Sequence, residues 1–416
     1  MNIGLVARLS LMMFVQYFIW GAWAPTLGNY MNTIGVGELI QWAYALGPIA
    51  CIIAPFFLGM IADRFFDSEK LLAVLMLVAG AAMCAMPLAA GSYLFLPLLG
   101  LHALCYFPTL GLTASLAFHH LKNQETEFPI VRVFGTIGWA AIGLFMGYVL
   151  KADATATPLY IGGGAALFLG LYSFTLPYTP PPSKGQTTSW KQIAGIDAFN
   201  ALKSKSFVVF LAAAMLIFIA FGTYFPYAPL YFTAIHEEFF SGTGFFANPS
   251  GEMAFGQVSE IFFMLLIPFF FRRLGVKWML LLGMLAWVVR FAIFALGASV
   301  GVYYFILIGI LIHGICYDFF FVTGQIYIDK KTAPEVRGQV QGLLVLLTQG
   351  IGFFLGTQLS GAYVNTLGVN GQLDPGGWGV FWLIFAIATF IFSLAFVLLF
   401  NDRIADHNKS AETQPG

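Results

Sequence analysis

The chain has 416 residues, of which 59% are hydrophobic, 17% aromatic and only 9% charged. Soluble domains carry about 25% charged residues, so this composition, with a mean hydropathy of +0.84, excludes an ordinary soluble domain and points to a polytopic membrane protein. Nineteen basic residues balance nineteen acidic ones, and with no basic tract there is no sign of a nucleic-acid partner. Cys51, Cys84, Cys105 and Cys316 all fall in apolar segments without a C-x-x-C pair, so neither a disulfide framework nor a zinc site is expected.

A helix needs roughly 20 apolar residues to cross about 30 Å of hydrocarbon. On that basis the first span covers about 6–30. It starts near Arg8 and stays apolar through Leu27, which is too long for a cleavable signal core, and no small-residue cleavage site follows. Spans 2 to 6 follow at about 38–60, 71–91, 94–118, 129–150 and 158–177. Between spans 2 and 3 stands "GMIADRFFDSEK", Gly59 to Lys70, with Gly59, Asp63 and Arg64 in G-x-x-x-D-R spacing. His102 lies within span 4, and His119 and His120 at its end, where polar residues are ordinary; no metal-ligand spacing joins them. Span 5 carries Arg132, Thr136 and Trp139 at i, i+4 and i+7, which puts a cation, a hydroxyl and a large ring on one helix face. The competing reading of Arg132 is that it snorkels to the interface, being only a few residues into the span.

The segment 178–205 opens with "TPPPSKGQ" and contains four lysines. It reads as a cytoplasmic linker between two halves, 1–177 and 206–400, with a tail at 401–416. Trp190, Ile193, Ile196, Phe199 and Leu202 recur there at near-helical spacing, as in a short interfacial helix. Spans 7 to 12 are expected at about 206–232, 252–271, 278–297, 302–328, 338–364 and 377–400. The outer loop 233–251 has no Lys or Arg.

Span 8 puts Gln257 and Glu260 on one face, an amide beside a carboxyl near mid-depth. The alternative is a structural salt bridge from Glu260 to Arg290 in span 9. In span 10, His313 and Tyr317 share a face, and Asp318 points about 100° away from Tyr317. An ionisable group inside a span is costly and marks a cavity, a partner or a proton relay. Glu260 and Asp318 are therefore candidates for proton coupling, against the alternative that Asp318 is fixed by Arg290.

Charge tests the count. With both termini cytoplasmic, sixteen of the nineteen basic residues fall inside and only Lys151 outside, while Arg132 and Arg290 lie within spans. This obeys the positive-inside rule, and an odd number of spans would scramble it. The halves also echo each other: "WGAWAP" from Trp20 with "FGTYFP" from Phe221, Cys105–Tyr106 with Cys316–Tyr317, and "IGLFMG" from Ile142 with "IGFFLG" from Ile351. There is no Walker loop and no catalytic constellation, so neither an ATP-driven pump nor an enzyme is expected, and no cofactor.

Parallel six-helix halves are the plan of the major facilitator superfamily, with a solute site between them near the midplane. The Gly59–Arg64 loop resembles that superfamily's cytoplasmic latch loop; its plainer reading is a solvated turn with a local ion pair. "PTLGL" from Pro108, "FPIVRVFGTIGW" from Phe128, "IDAFNALKSKS" from Ile196, "QVSEIFFMLLIPFFFRRLGVK" from Gln257, "AWVVRFAIFALG" from Ala286 and "HGICYDFFFVTGQIYIDK" from His313 together resemble the nucleoside–proton symporters of the superfamily. The resemblance implies an all-α fold of twelve transmembrane helices, import of nucleosides across the inner membrane with protons, and monomeric function. It implies solute binding by Arg132, Thr136, Trp139, Gln257, Glu260 and Tyr317, with His313 beside them, and proton coupling by Glu260 and Asp318. There are departures. By alignment the family's bacterial permeases place a Gln and an Asn of span 7 at the positions of Gly222 and Phe225, a Tyr where this chain has His313 and a Phe where it has Tyr317. The alternatives are a proton- or sodium-coupled carrier of another small polar solute, and a receptor that binds solute without moving it.

Overall fold

The computed structural model describes residues 2–57, 66–122, 124–181, 204–240, 247–332, 334–369 and 371–401. Gly59, Asp63 and Arg64, the expected interfacial helix of the linker and nearly all of the tail lie outside the described residues. The described residues are almost wholly helical, with one isolated bridge between Val369 and Gln372. Hydrocarbon offers no partner to a backbone N–H or C=O, so a lone chain segment crosses it with every backbone bond made internally.

Among the described residues, ten helical stretches are long and apolar enough to cross a membrane. One of them, Pro249–Val300, has 52 residues and is interrupted at Gly275. Ile267 and Met279, on either side of that glycine, pack in one cluster with Phe319, so the stretch doubles back and serves as spans 8 and 9. Thr157–Ser173, with 17 residues, stands at the place of span 6. The twelve spans expected from the sequence thus rest on dividing the long stretch and adding this shorter helix to the ten. Gly275 has φ 70° and ψ 176°, a conformation open to glycine and closed to side chains with a Cβ.

Element ends differ from the sequence-based ones where local chemistry intervenes. Span 1 is two helices, Ile3–Trp23 and Leu27–Thr33, because Pro25 withholds a backbone donor. The Thr26 hydroxyl donates to the carbonyls of Ala22 and Trp23 at 3.2 and 3.1 Å, and the Tyr44 hydroxyl donates to that of Ala24. The echoing motif of span 7 holds Pro226 and Pro229, yet Lys205–Phe240 stays one helix of 36 residues. The outer loop expected from 233 therefore begins several residues later. Span 10 runs as Tyr303–Leu311, His313–Tyr317, a π-helical turn Asp318–Val322 and Thr323–Lys331. Spans 5 and 11 also contain π-helical turns, Phe145–Leu150 and Leu346–Gly352.

Large apolar side chains such as Leu265, Phe262 and Leu398 face outward, as lipid requires. Inside, a cluster of spans 1, 3, 4, 5 and 6 is built around Leu9, Met76, Leu116 and Leu169. A larger one, rich in Phe, Tyr and Trp, joins spans 7 to 12 and reaches into spans 1 to 6. Side-chain hydrogen bonds join the two halves at one end of the bundle. Asp153 accepts from the Ser250 N–H at 2.9 Å, Thr233 donates to Asn29 at 3.3 Å, Gln358 to the carbonyl of Gln41 at 3.2 Å and Asn365 to that of Glu38 at 2.8 Å. Asp153 lies in the loop after span 5, where burial pushes its carboxyl above the usual range and the bonds to Ser250 pull it back.

Close helix approach sets the role of Gly222. A Cβ there would lie 2.5 Å from the Phe353 carbonyl oxygen of span 11. Gly222→Val is expected to destabilise the protein by about 1–3 kcal/mol through overpacking, read as a lower melting temperature in detergent. Gly164→Ala, where a Cβ would meet nothing within 4 Å, is expected to leave it unchanged.

Candidate functional site

A cavity of about 380 Å³ lies between the halves, within the span of about 300–1,000 Å³ usual for small-molecule sites. Spans 1, 2, 4 and 5 form one wall, and spans 7, 8, 10 and 11 the other. Arg132, Thr136, Trp139, Gln257, Glu260, His313 and Tyr317 all line it.

Arg132 does not snorkel. Its helix begins at Gln124, so the residue lies deeper than the sequence suggests, and its guanidinium carbon sits 4.3 Å from the centre of the Tyr17 ring. Such a contact stabilises a cation where water is scarce. One and two turns on, Thr136 and Trp139 continue the same face. The Trp139 ring meets Trp20 edge-on at 5.0 Å and Phe225 at 5.7 Å. Phe107 closes on Trp20 at 5.5 Å. The result is an aromatic slot shared by both halves, suited to a flat ring.

The opposite wall depends on how spans 8 and 10 meet. Span 10 is interrupted after Leu311, and the Gly314 N–H donates at 3.0 Å to the Ser259 hydroxyl, which itself donates to the Gly256 carbonyl at 2.8 Å. A Cβ on Gly314 would stand 2.6 Å from the Ser259 carbonyl oxygen, so only glycine permits this approach. The contact brings Gln257 Nε2 to 3.4 Å from His313 Nε2. Tyr317 follows His313 by one turn, with ring centres 6.2 Å apart.

The sequence leaves Arg290 open as a partner of Glu260 or Asp318. Among the described residues it ion-pairs with neither. It is fully buried, donates through Nη1 to His313 Nδ1 at 2.8 Å, and is caged by Tyr224, Trp287 and Phe294 at 3.6, 5.1 and 5.7 Å. Asp318 is also fully buried and does not line the cavity. Both its oxygens lack a hydrogen-bond partner among the described residues. It lies within electrostatic reach of Glu260, which in turn feels Arg132.

The span 7 departure is narrower than the alignment implies. Phe225 lines the cavity, whereas Gly222 packs against span 11 and does not. Sequence reasoning missed Tyr17, Trp20, Phe107, Phe221 and Gln349, all of which line the cavity. Gln349 was findable as an amide inside the apolar run of span 11; the aromatic residues carry no signal in a chain with 45 Phe. His102, buried between Trp23 and Tyr106, donates from Nδ1 to the Ala79 carbonyl at 3.0 Å and is structural.

Comparison with known proteins agrees with this geometry. The family model described as "Nucleoside H+ symporter" matches residues 1–405. The chain is 39% identical over 412 residues to YegT of Escherichia coli (strain K12), covering 95% of this chain and 94% of that protein. It is 33% identical to the xanthosine permease of the same organism, covering 91% and 92%. The crystal structure of the nucleoside transporter NupG superposes with a TM-score of 0.84 at 28% identity, over 97% of this chain and 100% of that one. A peptide transporter, POT, superposes at 0.77 with 12% identity, a likeness of fold alone. With an all-helical major facilitator fold and a family match over nearly its whole length, the chain belongs to the nucleoside H+ symporter family.

Proposed function

We propose that this chain imports nucleosides together with protons across the inner membrane by alternating access. The observation that carries the reading is the pairing of a polar, ring-lined cavity with a buried carboxyl behind it that has no hydrogen-bond partner among the described residues. Arg132, Thr136, Gln257 and Glu260 offer donors and acceptors to a ribose and a base edge, while Trp139, Phe225 and Tyr317 offer flat apolar faces to the base. Glu260 and Asp318 carry the proton. Neutralising a buried carboxylate removes most of the cost of burying it, so the protonated carrier passes more easily through a closed state. The family description and the relatives' names support the same reading.

In this proposal both termini are cytoplasmic, and the halves 1–177 and 206–400 rock about the cavity, joined by the 178–205 linker, in a monomer. The distribution of Lys and Arg supports the orientation. The hydrogen bonds from the Ser250 N–H to Asp153 and from Asn365 to the Glu38 carbonyl then lie on the outer side, so the state described is closed outward.

Four outcomes test this. Proteoliposomes with a pH gradient, acid outside, are expected to accumulate radiolabelled nucleoside, and a sodium gradient alone is not; failure of every nucleoside to accumulate or compete would refute the substrate. Asp318→Asn is expected to lose accumulation down to the level of empty liposomes yet retain exchange of nucleoside across the membrane, and undiminished accumulation would remove Asp318 from coupling. Arg132→Gln is expected to weaken solute affinity roughly ten- to hundredfold, the scale of losing one charged hydrogen bond. Reporter fusions in the 178–205 linker and the loop after span 7 are expected to report opposite sides of the membrane.

A further inference from the structure

Arg290 lies outside the cavity, yet it dictates what the cavity can recognise. A guanidinium has only donors. Its Nη1 lies 2.8 Å from His313 Nδ1, so Nδ1 must be the acceptor, and the imidazole proton sits on Nε2. An imidazolium would set an N–H against the guanidinium. The Nε2–H then points at the Gln257 amide, 3.4 Å away. Two donors cannot bond each other, and the oxygen and nitrogen of a side-chain amide interchange by a half-turn. The amide that satisfies His313 therefore turns its oxygen to the imidazole and its N–H groups to the cavity.

We infer that Arg290 and His313 form a polarity relay, and that the relay makes the site select nucleosides whose base edge carries a carbonyl beside a ring N–H. Gln257 presents the donor to the carbonyl. Glu260, three residues on and on the same helix face, lines the cavity with it and presents to the ring N–H its carbonyl oxygen, which accepts whether or not the carboxyl holds a proton. Inosine and uridine carry that edge. Adenosine and cytidine carry the reverse, an amino group beside an unprotonated ring nitrogen, and in the pose that seats a carbonyl on Gln257 they set donor against donor and leave Glu260 without an N–H. The rigidity of the relay comes from its origin: Arg290 is fully buried, stacked 3.6 Å from the centre of the Tyr224 ring, with Tyr224 in turn stacked on His313 at 5.9 Å. Arg290 is thus a positioning residue, acting through His313 and Gln257. The selectivity rests on the nucleoside reading above; the relay itself does not.

Two measurements on the full-length protein test it. In competition against labelled uridine uptake, inosine is expected to outcompete adenosine, and unlabelled uridine to outcompete cytidine, each by roughly tenfold, the scale of an unmatched buried polar group. Arg290→Met is expected to bring both ratios close to one, and Arg290→Lys, which keeps a donor-only cation, to preserve them. Equal competition in the unmodified protein, or ratios unchanged in Arg290→Met, overturns the selectivity. Independently, 15N spectra of histidine-labelled protein, with the His313 signals identified by their loss in His313→Gln, are expected to show the neutral Nε2–H form. An Nδ1–H form or an imidazolium overturns the relay even if Arg290→Met does not fold. The Nε2–H form in a protein that takes up no nucleoside supports the relay and refutes the nucleoside reading together with the selectivity.

Discussion

An ionised side chain in hydrocarbon costs at least a few kcal/mol, and the ionisable groups inside this bundle include Arg132, Glu260, Arg290 and Asp318. None of these four forms an ion pair among the described residues. Each is housed differently. Arg132 lies against the Tyr17 ring at the cavity wall. Glu260 faces the cavity, where water and solute can reach it. Arg290 is enclosed by three aromatic rings and bonded to a neutral imidazole. Asp318 has no hydrogen-bonding neighbour among the described residues. A carboxyl with no such neighbour and a guanidinium ringed by aromatic faces are thus housed in opposite ways on consecutive spans.

Several of the helices that surround these groups are irregular. Pro25 breaks span 1, Leu311 ends a segment of span 10, and π-helical turns occur in spans 5, 10 and 11. Such turns insert a residue and rotate the helix beyond them. In span 10 the consequence is specific. His313 and Tyr317 face the cavity, and the turn that starts at Asp318 carries the next residues into the packing of spans 8 and 9, where Phe319 meets Ile267 and Met279. One short stretch thus serves the solute on one side and the helix core on the other.

Much of this was legible in the sequence because it follows from charge and periodicity. Seven residues singled out as polar or aromatic on shared faces converge on one cavity, since i, i+4 spacing survives in any helix. What spacing could not supply was partnership across helices. Arg290, Glu260 and Asp318 are all mid-span, and their depth made any pairing plausible; the choice of His313 as partner depends on Gly314 letting span 10 approach Ser259, a contact between residues 55 apart in sequence. The aromatic lining of spans 1, 4 and 7 was likewise hidden, because a Phe that faces a solute and a Phe that faces a neighbour look the same in one dimension. Gly222 shows the converse error: an alignment column suggested a lost pocket group, while the backbone of span 11 leaves room there for no side chain.

Gly275 has a mechanical consequence. It turns span 8 into span 9 with no loop between them, so the two helices share a joint with only the torsions of one residue free to move. Helix rises about 1.5 Å per residue, which puts Glu260 some fifteen residues, or about 22 Å, from that joint on one arm, and Arg290 the same number of residues along the other. The two side chains are equidistant from the fulcrum. The hairpin thus carries a cavity-lining carboxyl on one arm and a ring-caged guanidinium on the other, with a single glycine as the joint between them.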